Sequence, residues 1–224
     1  AEEKKVKDRG LPPSGLFAGW EQEERLVAAF APESFEGELL FVSANGTVKR
    51  AQLADYDARK GKLAAAGLKD GDEIVCVQKL AAPELLLVSQ QGMAIHFAAE
   101  DIPVQGRTAT GVKGMTLAPG DRVIAAVQNE GAGEVLLATE RGYAKRDLIV
   151  DFDLQARGGK GLRAITFQKN GATGTYLVGA RLVMMPYDFV LVQKSGTRTR
   201  LNTEMVRIEE RAGKGALYAV VVLD

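Results

Sequence analysis

The 224-residue chain is long enough to bury a substantial core without disulfides, and its 46% apolar residues indicate a globular protein. Its formal charge is zero, with 29 lysines and arginines against 29 carboxylates, which counts against a uniformly basic nucleic-acid binder. A single histidine, His96, excludes a multi-histidine metal site, and a single cysteine, Cys76, excludes an internal disulfide and favours a reducing compartment.

The first 35 residues differ from the rest of the chain. They begin at Ala1 rather than at methionine, so we expect a piece of a longer protein, and the charged start has no apolar signal-peptide core. No run of about 18 apolar residues occurs anywhere, which predicts no membrane partner and a cytoplasmic location. Because the segment ERLVAAF (24–30) resembles the closing strand of later repeats, residues 1–35 are predicted to be the tail of a preceding repeat.

The remaining sequence repeats four times. Each repeat has an apolar run, a turn with a polar residue before glycine, and a second short strand, which together are typical of a β-hairpin. The four hairpins are ELLFVSANGTVKR (38–50), ELLLVSQQGMAIHF (84–97), EVLLATERGYAKR (134–146) and DFVLVQKSGTRTR (188–200). Their unbroken apolar runs predict first strands that are buried on both faces.

Two further features follow the hairpins. A glycine lies 19 residues after the turn glycine in the last three repeats, and an arginine precedes it by four residues. These segments read RTATG (107–111), RGGKG (157–161) and RAGKG (211–215), with a shorter ARKG at 58–61 in the first repeat. An apolar strand then ends most repeats, as in GDEIVCV (71–77), GDRVIAAV (120–127) and YLVGARLV (176–183).

Short strands in units of roughly 50 residues, without a helix-length amphipathic pattern, predict an all-β fold built by radial repetition. Each unit is too small to bury its faces alone, so the core is expected between neighbouring blades. The predicted fold is a propeller-like domain of about four to five four-stranded blades. The predicted blade boundaries lie near 36–82, 83–130, 131–184 and 185–224.

The motifs NGTVKR, RGYAKR, GRTATGVKG and LQARGGKGL resemble the C-terminal domain of the A subunit of bacterial DNA gyrase and of topoisomerase IV. The resemblance covers about residues 24–224. It implies a β-pinwheel, in which neighbouring blades exchange strands and the rim binds and bends duplex DNA. It also implies partners in a heterotetramer: the remainder of the A subunit, together with the ATPase B subunit of a type IIA topoisomerase, which hydrolyses ATP. Neither a cofactor, a metal nor a catalytic residue is implied for this domain.

The family's gyrase-A box is matched by QARGGKG, except that Ala156 stands where a basic residue is expected. The match lies in the third complete repeat, whereas the family's full box belongs to the first blade. A gyrase-like domain with strong wrapping and a topoisomerase IV-like domain with weak wrapping therefore both stay open. A protein-interaction scaffold is a further alternative, favoured by the neutral net charge. A propeller enzyme is disfavoured, because the repeats share no convergent carboxylates or metal ligands.

Charge is unevenly spread: residues 131–184 carry eight cations and five carboxylates, and residues 83–130 carry three cations and five carboxylates. Glycine-rich loops can present backbone amides to phosphates, while lysines and arginines supply charge. The second repeat has Ile95 and His96 where other repeats have cations, so its rim is expected to bind more weakly. The predicted DNA contacts are Lys49, Arg50, Arg107, Lys145, Arg146, Gln155, Arg157, Gly158, Gly159, Lys160, Gly161, Arg198, Arg200, Arg211 and Lys214.

Overall fold

A computed structural model describes residues 10–17, 19–58 and 62–221 of the chain. Most of the predicted ARKG loop (58–61) therefore lies outside the described residues. The described part contains one short helix, α1 (Pro13–Leu16), and otherwise strands and single 3₁₀ turns. Within these ranges, no helix is long and apolar enough to cross a bilayer.

Three blades share one topology. The first contains β1 (Glu38–Ser43), β2 (Thr47–Gln52) and β3 (Ile74–Lys79), and β1 lies between the other two strands. The second blade contains β4 (Glu84–Ser89) and β5 (Met93–Ala98), with β7 (Val123–Asn129) beyond β4. The third blade contains β8 (Glu134–Thr139), β9 (Tyr143–Leu148) and β11 (Leu177–Val183) in the same arrangement. The fourth sheet contains β12 (Asp188–Val192) and β13 (Arg198–Asn202).

The fourth strand of each complete blade comes from the following repeat. Strand β6 (Val112–Lys113) pairs antiparallel with β2, β10 (Leu162–Arg163) with β5, and β14 (Ala216–Leu217) with β9. A 3₁₀ turn follows each hairpin and leads toward this exchange; the turns are Leu53–Tyr56, Ala99–Asp101, Ile149–Asp151 and Thr203–Met205. Exchange therefore ties each blade to the next through backbone hydrogen bonds.

The hydrophobic core lies between the blades, as the repeat pattern predicts. One cluster joins Leu40 and Val42 of the first blade to Leu85 and Leu87 of the second. Another joins Leu86 of the second blade to residues of the third, including Val135 and Leu137. The first strands β1, β4 and β8 are buried along nearly their whole length. Their continuous apolar runs follow from this burial on both faces.

The two edges of each blade differ. The inner edge is formed by β3, β7 and β11, and β7 contacts both of the others. The outer edge carries the exchanged strands β6, β10 and β14. Arg25, Leu26 and Val27 line a cavity of about 510 Å³ together with residues of the inner strands. The segment 24–30 forms no strand of its own, unlike the closing strands that its sequence resembles.

The all-β, propeller-like fold with exchanged strands is therefore confirmed. The number of strands per blade differs from the prediction in one place, because the fourth sheet has two strands among the described residues.

Candidate nucleic-acid interface

The glycine-rich segments lie on the outer edges of the blades, each on the blade that precedes it in sequence. We call residues 105–111, 155–161 and 209–215 the rim loops. Each begins with a backbone amide that donates to the second strand of the preceding blade: Gln105 to the Arg50 carbonyl at 2.9 Å, Gln155 to that of His96 at 2.8 Å, and Glu209 to that of Arg146 at 2.9 Å. Each loop then leads into an exchanged strand.

A rim loop is joined to the segment that follows the exchanged strand of the preceding rim loop. The amide of Thr116, just after β6, donates to the Gly159 carbonyl at 2.8 Å, and its hydroxyl donates to the Gly158 carbonyl at 2.7 Å. The Gly158 amide returns a hydrogen bond to the Gly114 carbonyl at 2.7 Å. In the next pair, the Thr166 amide donates to Gly213 at 3.1 Å. The three loops, together with the exchanged strands that follow them, therefore form one continuous outer edge, which we call the rim.

The loop arginines also bridge adjacent blades. Arg157 donates through Nε to the Asp101 carbonyl and through Nη1 to the Lys113 carbonyl, both at 2.8 Å. Arg211 repeats the second contact, donating through Nη1 to the Arg163 carbonyl at 2.7 Å. Because a guanidinium has five N–H donors, these contacts leave other donors available. Arg107, Arg157 and Arg211 are each partly exposed.

Glycine at the end of each rim loop is required by close approach to the preceding blade. Gly161 has φ of +73°, and a Cβ there would lie 2.1 Å from the Ala94 carbonyl oxygen. Gly111 occupies the same position in the preceding loop, where a Cβ would lie 2.4 Å from the Val48 carbonyl oxygen. The close approach that glycine permits at these two sites is therefore to a neighbouring strand. Gly159, by contrast, is exposed on the rim.

Four exposed cations lie on the rim: Lys160 and Lys214 in the loops, and Lys113 and Arg163 at the second position of β6 and β10. None of them forms an ion pair with a described carboxylate within 4.0 Å. Lys113 and Arg163 are missing from the predicted set. Their common position, two residues after the loop glycine, was a signal that could have found them.

Lys49 and Lys145 are a correction to the predicted set, because both are buried. Lys49 Nζ donates to the backbone carbonyls of Ala65 at 3.2 Å and Arg107 at 2.5 Å. Lys145 Nζ donates to those of Glu210 at 2.9 Å and Arg211 at 2.7 Å. Burial lowers the pKa of both ammonium groups. Through these hydrogen bonds the two lysines fix loop carbonyls from inside the fold. Because their ammonium groups are buried, they are not exposed to a ligand.

Arg50 and Arg146 also need correction, since their side chains are largely buried in ion pairs within one blade. Arg50 Nε lies 3.4 Å from Glu38, and Arg146 Nη1 lies 2.5 Å from Glu134. His96 takes the same position in the second blade, with Nε2 3.0 Å from Glu84 and Nδ1 2.9 Å from the Phe152 carbonyl.

The remaining predicted contacts lie in the fourth sheet and on the rim. Arg198 and Arg200 are exposed, and Arg200 pairs with Asp188 at 2.5 Å. Both belong to the fourth sheet, on which no exchanged strand is described. Gln155 and Gly158 are partly exposed at the rim.

Asp147 is a buried carboxylate beside the rim, with Oδ1 2.7 Å from Lys145 Nζ. Burial raises the pKa of this carboxyl from its ordinary 3.8 to about 7, although the hydrogen bond from Lys145 opposes the shift. Asp151 and Glu209 also raise its pKa. The equivalent positions in the first two blades hold Ala51 and Phe97, both fully buried.

This carboxyl predicts a pH dependence of stability. The folded state keeps the Asp147 proton to a higher pH than the unfolded state does, so it binds more protons between about pH 4 and pH 7. The free energy of unfolding should therefore contain a contribution that falls as pH rises through that window. Urea unfolding of the unmodified chain and of Asp147→Asn measures it as the difference between two curves. Parallel curves from pH 4 to pH 8 would contradict the assignment.

The architecture and the rim together define an all-β, propeller-like domain with exchanged outer strands and a cationic edge. The family model for the DNA gyrase C-terminal domain, a β-propeller, matches residues 37–77, 83–129 and 133–173, which is more than half of the chain. The chain therefore belongs to the DNA gyrase C-terminal domain family.

Curated relatives and solved structures agree with this assignment. The gyrase A protein of Mycolicibacterium smegmatis is 37% identical over 123 residues, and that of Escherichia coli K12 is 33% identical over 124 residues. Those matches cover 52% and 53% of this chain but 14% of each relative, so the matched part is about one seventh of the relatives' length.

A crystal structure of the C-terminal domain of DNA topoisomerase IV superposes with a TM-score of 0.89 and 25% identity, covering 96% of this chain and 67% of that one. A DNA gyrase A C-terminal domain superposes with a TM-score of 0.82 at 22% identity, covering 98% of this chain and 72% of the other, and shows the shared fold.

Proposed function

We propose that this chain is a non-catalytic domain that binds duplex DNA along the rim and wraps it. The observation that carries the proposal is the continuous outer edge, where the loops expose Lys160 and Lys214 and the exchanged strands expose Lys113 and Arg163. A neutral protein can bind a polyanion when its cations are gathered on one surface. Contacts to the phosphate backbone position DNA without reading its sequence, so little sequence preference is expected.

The test is the salt dependence of duplex binding. The variant Lys113→Gln, Lys160→Gln, Arg163→Gln, Lys214→Gln removes four exposed rim charges and should flatten the log–log slope by about 0.9 for each phosphate that is no longer neutralised. A matched control replaces Lys69, Lys79, Lys169 and Lys194 by Gln, all of them exposed and outside the rim. The slope of the control should stay unchanged. Equal slopes in both variants would overturn the proposed interface.

We also propose that the parent protein is the A subunit of a type IIA topoisomerase. Its partners would be an ATP-hydrolysing B subunit in a heterotetramer, besides the remainder of the parent chain itself, and it would act where bacterial DNA lies, in the cytoplasm. The family assignment and the similarity to gyrase A proteins support this proposal. Such a domain would bend the duplex that takes part in strand passage. Smooth bending of a short duplex costs on the order of 1–6 kcal/mol, which the phosphate contacts of the rim would have to offset.

Ligation of relaxed circular DNA in the presence of the chain separates the alternatives. A positive shift in linking number supports gyrase-like wrapping. Duplex binding without a shift supports a topoisomerase IV-like domain that wraps weakly. Absence of duplex binding at low salt supports a protein-interaction scaffold, which the zero net charge would suit.

A further inference from the structure

The three rim loops occupy equivalent positions but differ in charge. Gln105, Gln155 and Glu209 are their first residues, and the backbone amide of each donates to the second strand of the preceding blade. The first two loops contain cations and no carboxylate, whereas the third contains two cations and two carboxylates. The exchanged strand after the third loop ends in Leu217, where the other two end in a cation. Positive charge on the rim is therefore lowest at the third loop.

The Glu209 carboxylate lies within its own loop. Its Oε2 accepts a hydrogen bond from the Gly215 amide at 3.0 Å, and a Cβ added at Gly213 would lie 2.5 Å from the same oxygen. Gln155 takes the equivalent place in the second loop, since a Cβ added at Gly159 would lie 4.0 Å from its Oε1. The two loops therefore hold similar side chains beside their middle glycine, but one is a neutral amide and the other a carboxylate.

Nearby cations do not cancel the charge of Glu209. Among the described residues, no lysine or arginine forms an ion pair with it within 4.0 Å. The buried Lys145 ammonium lies 2.7 Å from Asp147, whose charge matches it once that carboxyl is ionised. In the first blade, Ala51 stands in place of Asp147, so the buried Lys49 has no carboxylate at that position. The third loop is therefore the least favourable of the three for a phosphate.

Salt does not remove this difference. A phosphate on the exposed backbone of the loop 209–215 would lie roughly one Debye length or less from the carboxylate, and that length is about 8 Å at physiological ionic strength. We propose that Glu209 weakens the hold of the third rim loop on DNA, so that phosphate contacts are concentrated on the first two loops. The inference rests on the proposed function of the rim in DNA binding. It assigns unequal shares of the duplex to loops that the repeat makes structurally equivalent.

The experiment replaces Glu209 by glutamine, which the first two loops have at this position. The amide oxygen can still accept the hydrogen bond from Gly215, so the variant should unfold thermally like the unmodified chain. At pH 8 and low salt, Glu209→Gln should bind a duplex about two- to fivefold more tightly. Its log–log salt slope should be steeper by up to about 0.9, for one further neutralised phosphate. The matched control Glu130→Gln removes an exposed carboxylate outside the rim and should change neither quantity.

Exchanging the two side chains tests the position of the effect at constant net charge. In the unmodified chain, Lys160→Gln should flatten the salt slope by about 0.9 and Lys214→Gln should change it little. In the background Gln155→Glu, Glu209→Gln the order of these two effects should be reversed, and Gln155→Glu alone should weaken duplex binding. Unchanged affinity and slope in Glu209→Gln would overturn the inference while leaving the proposed interface intact. If the unmodified chain bound no duplex at low salt, the proposed function would fail, and the inference with it.

Discussion

Replacing Lys145 by methionine is expected to lower the free energy of unfolding at pH 8 by about 3–5 kcal/mol. The change leaves the fully buried carboxylate of Asp147 without its cation. It also removes the donor to the carbonyls of Glu210 and Arg211, which fix the third rim loop. Urea unfolding followed by near-ultraviolet circular dichroism measures the loss.

Two companion variants separate charge from packing. In Lys145→Met, Asp147→Leu both charges are removed, and most of the stability should return, since the second blade holds Ile95 and Phe97 at these positions and buries both fully. Lys49→Met removes a buried ammonium that bonds two carbonyls, and it should cost about 1–3 kcal/mol. A loss below about 1 kcal/mol in Lys145→Met would show that the buried pair is not required.

Gly161→Ala is expected to be among the most damaging changes of a single methyl group in this chain, at about 2–5 kcal/mol. The residue has φ of +73°, which costs an L-residue about 1–2 kcal/mol. The added Cβ would also lie 2.1 Å from the Ala94 carbonyl oxygen, so either β10 or β5 must shift, and overpacking of this kind costs a further 1–3 kcal/mol or so. Thermal unfolding measures the total.

Gly71→Ala is the matched control. Gly71 has the same φ of +73°, but no atom lies within 4 Å of the position of its Cβ. The control therefore isolates backbone strain, and it should cost about 1–2 kcal/mol. Because β10 carries Arg163, Gly161→Ala should also weaken duplex binding, whereas Gly71→Ala should leave it unchanged. Equal destabilisation by the two substitutions would contradict the role given to the close approach.

The candidate interface was only partly predictable from sequence. The repeated arginine and glycine residues correctly indicated a set of equivalent loops, because repetition along the chain becomes repetition in space when blades stack. Lys49 and Lys145 were wrongly placed on the surface. Their burial depends on the rim loop of the following repeat, since Lys49 bonds Arg107, 58 residues away, and Lys145 bonds Arg211, 66 residues away. The residues near the hairpin turn do not specify that contact, so the local sequence pattern could not predict the burial of these lysines.

What the amino-acid sequence determined by itself was the repeat: apolar first strands, glycine turns and closing strands, each specified by local periodicity and turn chemistry. Only the tertiary structure decided which blade each glycine-rich loop belongs to. Strand exchange moves β6, β10 and β14 onto the preceding blade, and this pairing buries some cations and exposes others. The physical reason is that edge pairing and side-chain burial depend on which residues are close in space. The residues adjacent to a position in sequence do not determine those contacts.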